Sequence, residues 1–398
     1  MLACTEIIKT VEARGDLDQS VDEPGYMAAT LEKAHKQLSP HSRLGAGNEL
    51  DCYMDAIVRS SMSVANSCEG GRRERIVQAC QSVLQMRNDL ADLQKTFLAN
   101  PLSQRTRHEL DLASERLSVE LKKLDRHVST AVIDHITTVF ADAELPVHNM
   151  IQAATSSLLD MSVQSQEHAM MRLKGKADEF HKHAARLAEV ARQSAAISAD
   201  SRRVQAINNA ASDIEKLAPQ LVSTAVRVRQ TPKDTGCTEL LGQLRRDWTA
   251  RLHALTSVVD DVTDFNDFVL MTDLNIQEDI SCCREALQLQ DIQKVSQTSL
   301  RMLGRARRVA MVTKKEMNET ADPMYKGNLQ TGCGQLESVL PVLVQSVEGT
   351  LVNMSDVDQH NNLCENSELL GDKVKMIKSA LKRPAGINIE TVPCSGSL

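Results

Sequence analysis

The chain has 398 residues, of which 42% are hydrophobic and 2% are aromatic, and its 53 acidic side chains outnumber 46 lysines and arginines to give a formal net charge of -7. This length predicts two to four domains, and the single Trp, three Tyr and five Phe predict a mainly aliphatic core. An acidic chain without a long basic block is not expected to bind nucleic acid, because such binding needs Lys and Arg side chains that neutralise phosphates.

The ten cysteines are too sparse for a disulfide scaffold in a chain of this length, and none lies in a CxxC motif. The first residues, MLACTEIIKTVEARGD, carry an acid at position 6 and lack the apolar core of a signal peptide. No stretch approaches 18 uncharged apolar residues, so the sequence predicts no transmembrane segment. We therefore expect reduced thiols and a cytoplasmic location.

Helical patterns run through the whole chain, whereas the alternation typical of strands does not appear. Prolines, which disrupt helix interiors, leave three long free intervals, at 102–145, 147–218 and 233–322. Apolar residues repeat every three or four positions, as in the series Leu173, Ala177, Phe180, Ala184, Leu187 and Ala191. Narrow stripes of this kind are typical of helices packed in bundles. The sequence thus predicts an all-α fold of consecutive antiparallel bundles of the four-helix type, joined by long helices.

Breaks in this pattern predict the individual helices in chain order. One or two short helices are expected within residues 1–46, and residues 38–48 are rich in helix breakers. Further helices are predicted at 49–67, 72–99, 103–141, from Pro146 onward, 164–197, 201–230 and 236–263. A last helical unit covers 265–382, with breaks near 289–291, 322–323 and 357–362. Pro219 falls inside a helical pattern, so we expect a kink there.

Motifs for catalysis or cofactor binding do not emerge. Gly332 and Gly334 do not form a phosphate-binding loop. His181 and His183 are two residues apart, which places them on different helix faces, and we expect them to be solvated surface residues rather than a metal pair. The adjacent Asp134 and His135 resemble a proton-relay pair, but no nucleophile motif accompanies them, so His135 is expected on a helix flank. The sequence predicts no cofactor, no metal and no enzymatic activity.

Several collinear segments resemble the α-catenin branch of the vinculin superfamily, in its middle region. The similarity extends over about residues 48–382. The segments are GRRERIVQAC from Gly71, TAVIDHI from Thr130, HAARLAEVARQSAAIS from His183, LAPQ from Leu217, VVDDVTDFNDF from Val258 and LGRARRVAMVTKKEM from Leu303.

This resemblance implies three helical bundles, called M1, M2 and M3 in that family, within a fragment of a longer protein of an invertebrate member. The implied parts are the end of an N-terminal domain with its linker at 1–47, M1 at 48–160, M2 at 161–262, M3 at 263–384 and a disordered tail at 385–398. It also implies a cytoskeletal adaptor of the cadherin–catenin complex at adherens junctions. Its implied partners are the vinculin head through M1, β-catenin with cadherin and F-actin through regions absent here, and afadin-like proteins at M3.

The helix predicted around 104–140 has a long apolar stripe that allows two interpretations. The residues concerned are Leu110, Ala113, Leu117, Leu121, Leu124, Val128, Ala131, Val132 and Ile136, with His135 and Val139 continuing the spacing. A narrow stripe normally packs within its own bundle. By resemblance, the same helix is the vinculin-binding helix, which would leave M1 under tension and insert this stripe into vinculin. Ser114, His127, Ser129 and Thr130 are polar positions on or beside the stripe that would keep M1 marginally stable.

The resemblance also implies ion pairs between M2 and M3 that hold the closed state. Asp260 would pair with Arg305, and Glu278 with Arg308. The alternative is that residues 305–308 form a solvated basic helix face, because exposed pairs contribute only about 0 to 1 kcal/mol each. At the level of function, the alternative is a constitutive vinculin-like or catulin-like scaffold without force gating.

Overall fold

A computed structural model describes residues 26–39, 49–68, 70–156 and 163–381. Within these residues the chain forms twelve α-helices and no strand, which confirms the predicted all-α fold. The predictions for residues 1–25, for most of the linker and for the C-terminal tail lie outside the described residues. The described part of the chain contains no helix with both the length and the apolar character needed to cross a membrane.

Contacts between residues divide the chain into two compact units, Met1–Met271 and Thr272–Leu398. The helices before the division are α1 Tyr26–Gln37, α2 Glu49–Asn66, α3 Gly70–Ala99, α4 Gln104–Val139, α5 Leu145–Thr155, α6 Val163–Ala196, α7 Ser201–Gln230 and α8 Thr235–Asp260. The division falls within α9, Phe265–Gln288, and is followed by α10 Ile292–Glu319, α11 Pro323–Val352 and α12 Val357–Ala380. The bounds predicted for M1, M2 and M3 stay predictions.

Aspartate side chains define where several helices begin. The carboxylate of Asp200 accepts the backbone amide of Arg202 at 2.9 Å and so caps α7. Asp234, Asp291 and Asp322 cap α8, α10 and α11 in the same way. Asp356 caps α12, so the connection between α11 and α12 lies before Val357. The break predicted at 357–362 is therefore wrong, because a side-chain cap starts a helix there.

Unit one has the aliphatic core that its composition predicts. In unit one α3 packs along α4, α6 along α7 and α7 along α8. Phe180 of α6 and Trp248 of α8 are fully buried and meet edge to face, with ring centroids 4.7 Å apart. Small residues such as Ala211 and Ala225 are also fully buried on α7, which lets neighbouring helices approach closely. α7 continues through Pro219, and the kink expected there stays a prediction.

Unit two is built on close contacts between α11 and its neighbours. α11 packs against α10 and α12. Gly332 on α11 lies so near α12 that a Cβ atom added there would stand 2.9 Å from Ile377 Cγ1. Gly334, two residues further on, is exposed and would meet nothing within 4 Å. A side chain at the first glycine would therefore interfere with packing, whereas one at the second would not.

Candidate functional site

Helix α4 presents the predicted apolar stripe to the interior of unit one. It follows Ser103, whose hydroxyl oxygen accepts the Thr106 amide at 3.2 Å, and its 36 residues extend about 54 Å. The predicted residues found buried are Leu110, Leu117, Leu121, Leu124, Val128, Ala131, Val132 and Ile136. Ala113 is half-buried. The stripe is a core face of its own bundle in this conformation.

Ala113 is less covered than the rest because the outer ends of α3 and α4 are open. A cleft of 370 Å³ lies there, lined by Met86, Asp89, Leu93, Glu109, Leu112, Ala113 and Arg116. No residue from 91 to 109 is buried, and the apolar side chains of Leu98 and Leu102 are 65% and 94% exposed. The tip of the α3–α4 hairpin thus contributes little to the packing that retains α4.

Polar groups on or beside the stripe weaken its packing further. The Ser114 hydroxyl oxygen is buried and has no hydrogen-bond partner among the described residues. Asp125 is half-buried, and burial raises the pKa of its carboxyl group. Burial, with positive side chains nearby, lowers the pKa of His127. Ser129 and Thr130 are partly exposed. Removing Ser114, Asp125 and His127 from water costs free energy. Release of α4 would remove this cost.

The C-terminal part of α4 is joined to α6 by a buried polar network. His135 is 7% exposed, with Nδ1 2.9 Å from Gln193 Oε1 and Nε2 3.6 Å from Cys68 Sγ. Gln193 Nε2 donates to Ser67 Oγ at 3.0 Å and to Glu189 Oε1 at 3.2 Å. The expectation that His135 lies on a helix flank is therefore wrong, because α6 packs over this part of α4.

Two further contacts hold α4 to α3 and α1. Arg72 Nη1 lies 3.1 Å from Asp134 Oδ2, and His35 Nδ1 lies 3.0 Å from Ser118 Oγ. The carboxylate of Asp134 is thus engaged by an arginine, whereas both ring nitrogens of His135 meet other groups. The two adjacent residues are not arranged as a proton relay.

In unit two, arginines of α10 lie in a buried polar cluster. Arg305 and Arg308 are 6% and 4% exposed, so the interpretation of both as part of a solvated face is wrong. Arg305 Nη1 contacts the Asp279 carboxylate and donates to the Asn275 carbonyl at 3.0 Å. Arg301 Nη2 lies 3.1 Å from the other oxygen of Asp279. Charge-assisted hydrogen bonds of this kind are what a buried guanidinium requires.

The acid that engages Arg305 in this unit is the neighbour of a predicted one. Glu278 is exposed, whereas Asp279 is buried and contacts the arginine. Asp260 belongs to the other unit, so its pairing with Arg305 stays a prediction, as does that of Glu278 with Arg308. The sequence offered two adjacent acids on α9, and only the packing of α10 distinguishes them.

Comparison with known proteins assigns this architecture to a family. The Vinculin family profile matches residues 9–392, and the chain therefore belongs to the Vinculin family. It is 27% identical to human Catenin alpha-3 over 339 residues, which are 83% of this chain and 36% of that protein. It is 28% identical to human Catenin alpha-2 over 339 residues, which are 83% of this chain and 34% of that protein. The resemblance to α-catenin is confirmed.

Solved structures share the fold. The crystal structure of the HMP-1 M domain matches with a TM-score of 0.74 and 22% identity, over 89% of this chain and 98% of that chain. A vinculin homolog from a sponge matches with a TM-score of 0.76 and 20% identity, over 94% of this chain and 45% of that chain. This chain spans about a third of the length of the catenins it matches.

Proposed function

We propose that this chain is a non-enzymatic adaptor module of the cadherin–catenin cell-adhesion complex, which links adherens junctions to actin at the cytoplasmic cell cortex. Its similarity to two catenins over most of its own length supports this assignment. Because the chain spans only about a third of those proteins, β-catenin with cadherin and F-actin would be bound by other regions of a longer protein. Binding of afadin-like partners at M3 stays a prediction.

Within this module, α4 is the vinculin-binding helix. The observation that supports this is the complete burial of Leu117, Leu121 and Leu124 in the chain's own bundle. A helix that inserts into a groove of a partner uses its apolar face for that contact. The same face cannot pack in both places at once, so the closed bundle excludes vinculin and the released helix binds it.

Tension would then regulate binding by changing the fraction of chains in which α4 is released. If one chain in about 100 has α4 released, the apparent affinity for vinculin is about 100-fold weaker than that of the free helix. Each ~1.4 kcal/mol of mechanical work changes the ratio of released to closed chains about tenfold. The open hairpin tip and the poorly solvated Ser114 and Asp125 favour a bundle that yields to such work.

A binding comparison tests this proposal directly. The vinculin head is titrated into the intact chain and into a peptide of residues 100–145, with affinity measured by calorimetry. We expect the peptide to bind at least tenfold more tightly. Leu124→Asp in the peptide should abolish binding, whereas the matched Val119→Asp, at a position 60% exposed on the same helix, should leave it unchanged.

The possible outcomes separate the alternatives. Equal affinity for peptide and intact chain would favour the constitutive scaffold, and a peptide that does not bind would refute the assignment of α4. Gating is tested by pulling the intact chain between its ends in magnetic tweezers. We expect the bundle of α2, α3 and α4 to open before the other helices, and simultaneous opening of all helices would contradict gating by this bundle.

The ion pairs Asp260–Arg305 and Glu278–Arg308 are proposed to stabilise the closed state. The variant Asp260→Asn in the intact chain should then bind the vinculin head more tightly than the parent does. Asp247→Asn provides a matched control, because Asp247 is exposed on the same helix. If both variants bind as the parent does, the pair at Asp260 has no role in closure.

A further inference from the structure

The hydrogen bonds around His135 fix which of its ring nitrogens carries the proton. The Gln193 amide nitrogen faces the carboxylate of Glu189 and the hydroxyl of Ser67, so its carbonyl oxygen must face His135. A carbonyl oxygen only accepts hydrogen bonds, and Nδ1 therefore carries the proton and donates it to Gln193. The Nε2 atom of the neutral ring is then unprotonated and faces the thiol of Cys68.

A second proton on this ring would find no good acceptor. It would bind at Nε2 and point at Cys68 Sγ, which is a weak acceptor. The thiol sulfur also lies 3.3 Å from the Val64 carbonyl and donates its own proton there. Burial raises the pKa of Cys68, which disfavours the thiolate that could neutralise an imidazolium. The neutral ring places no proton against the sulfur, whereas the charged ring does.

Charged groups of α3, α4 and α6 lie near the imidazole or its thiol neighbour Cys68. Arg186 and Glu189 lie on α6, Asp134 on α4, and Arg72 with Arg73 on α3. The two carboxylates are already engaged: Asp134 by Arg72 at 3.1 Å, and Glu189 by Arg186 at 2.9 Å and by Ser67 at 2.7 Å. Burial lowers the pKa of His135, and its hydrogen bond to Gln193 opposes that effect only in part.

We propose that the His135–Gln193 contact is a proton-sensitive latch, in which the neutral imidazole holds the C-terminal part of α4 against α6 and uptake of one proton at Nε2 favours release of α4. This inference rests on the function proposed for α4. The latch joins α4 to α6, whereas the bundle expected to open under tension is formed by α2, α3 and α4. Acidification and tension would thus act on the same helix through different contacts.

The sign and size of the effect follow from linkage. In the released state His135 has its ordinary pKa of about 6.5 and takes up a proton below that pH. In the closed state its pKa is lower, so the ring takes up the proton less readily. The closed state is therefore most favoured above about pH 7 and loses stability as the pH falls. Relative to pH 8.0, protonation of His135 alone raises the ratio of released to closed chains by up to about fourfold at pH 6.0 and about tenfold at pH 5.5.

Hydrogen–deuterium exchange of the full chain measures this opening without vinculin. Exchange of residues 131–139 and 187–196 is compared at pH 8.0 and pH 6.0 after correction for the intrinsic rate. We expect the rise in the opening equilibrium to be up to about fourfold smaller in His135→Gln than in the parent. The matched control His108→Gln, at an exposed position on α4, should behave as the parent does. His35 and His127 contribute equally in all of these proteins.

A second variant tests the latch even if His135→Gln fails to fold. Gln193→Glu places a carboxylate against Nδ1, so the protonated ring gains an ion pair and acidification should close the latch instead of opening it. A parent without any pH response, a full response in His135→Gln, or an unchanged response in Gln193→Glu would each overturn the proposal. The 100–145 peptide lacks Gln193, so its binding to vinculin does not depend on the latch. Each proposal can therefore be refuted without the other.

Discussion

Arg87 of α3 and Asp55 of α2 form a buried ion pair, with 2.5 Å between Nη1 and Oδ1. Their side chains are 3% and 7% exposed, and Arg87 Nε also lies 3.6 Å from Asp51 Oδ1. The pair lies one turn before Leu90, the last buried residue of α3. It therefore marks the boundary between the packed part of this bundle and its open hairpin tip.

Removal of the arginine should open the bundle. Arg87→Met leaves the Asp55 carboxylate in the interior without its guanidinium partner, which costs about 3 to 5 kcal/mol. We expect a lower denaturation midpoint for the bundle of α2, α3 and α4, measured by hydrogen exchange in urea. Because release of α4 becomes easier, the intact variant should also bind the vinculin head more tightly than the parent does.

Two further variants establish that burial of the pair causes this effect. Lys95→Met removes an ion pair with Asp92 in which both side chains are 77% exposed, and should change stability by less than about 1 kcal/mol. The double variant Asp55→Leu with Arg87→Met removes both charges, and should recover most of the lost stability. Equal stability of parent and Arg87→Met would show that the pair does not hold the bundle.

His183 makes the bundle of α6, α7 and α8 sensitive to acid. Burial lowers its pKa to about 4, and its Nε2 atom has no hydrogen-bond partner among the described residues. The expectation that this side chain is solvated is wrong, whereas His181 is exposed as expected. The unfolded chain takes up a proton below pH 6.5 and the folded chain does not. Between pH 7.5 and pH 5.0 this difference should remove about 2 kcal/mol of stability.

Fluorescence of the single tryptophan measures this loss locally. Trp248 contacts Phe180, which lies one turn from His183 on α6, so urea unfolding followed at Trp248 reports on this bundle. His183→Gln should reduce the difference between pH 7.5 and pH 5.0 by about 2 kcal/mol. The control His181→Gln should retain the full difference. If both variants retain it, another group causes the acid sensitivity.

The helices themselves could be predicted because their signals are local. The sequence predicts a helix at 201–230, and α7 spans Ser201–Gln230 after the cap at Asp200. The stripe of α4 could be predicted equally well, since a spacing of three and four residues defines one helix face. Ile133 on α4 is also buried, but it was not among the predicted residues although it lies three positions before Ile136.

The polar interior could not be predicted, because it depends on which helices pack against each other. His135 and Gln193 are 58 residues apart in the chain, and neither position has a local pattern that brings them together. The same holds for Arg305 and Asp279, which meet only because α10 returns along α9. A single sequence shows which faces are apolar, but it does not show which polar residue of one face meets which residue of another.

Gly332 and Gly334 of α11 provide a test of packing in unit two. In a helix, replacing an exposed glycine by alanine stabilises by about 0.5 to 1 kcal/mol, because glycine has more backbone freedom in the unfolded chain. Gly334→Ala should show this gain, since its new Cβ meets nothing within 4 Å. Gly332→Ala should instead destabilise, because its Cβ would lie 2.9 Å from Ile377 Cγ1 and 3.5 Å from the Ile377 backbone nitrogen.

Both substitutions lie on one helix, two residues apart. Opposite effects on stability would therefore show that the contact with α12 causes the difference. Overpacking costs about 1 to 3 kcal/mol. The free energy of opening should therefore be about 1.5 to 4 kcal/mol lower in Gly332→Ala than in Gly334→Ala. Hydrogen exchange of the α12 amides measures this difference. Ile377→Ala removes the crowding Cγ1 atom, so Gly332→Ala should cost less stability in an Ile377→Ala background than in the parent. If Gly332→Ala stabilises α12 as Gly334→Ala does, the two helices are free to move apart and the close approach is not a constraint on this bundle.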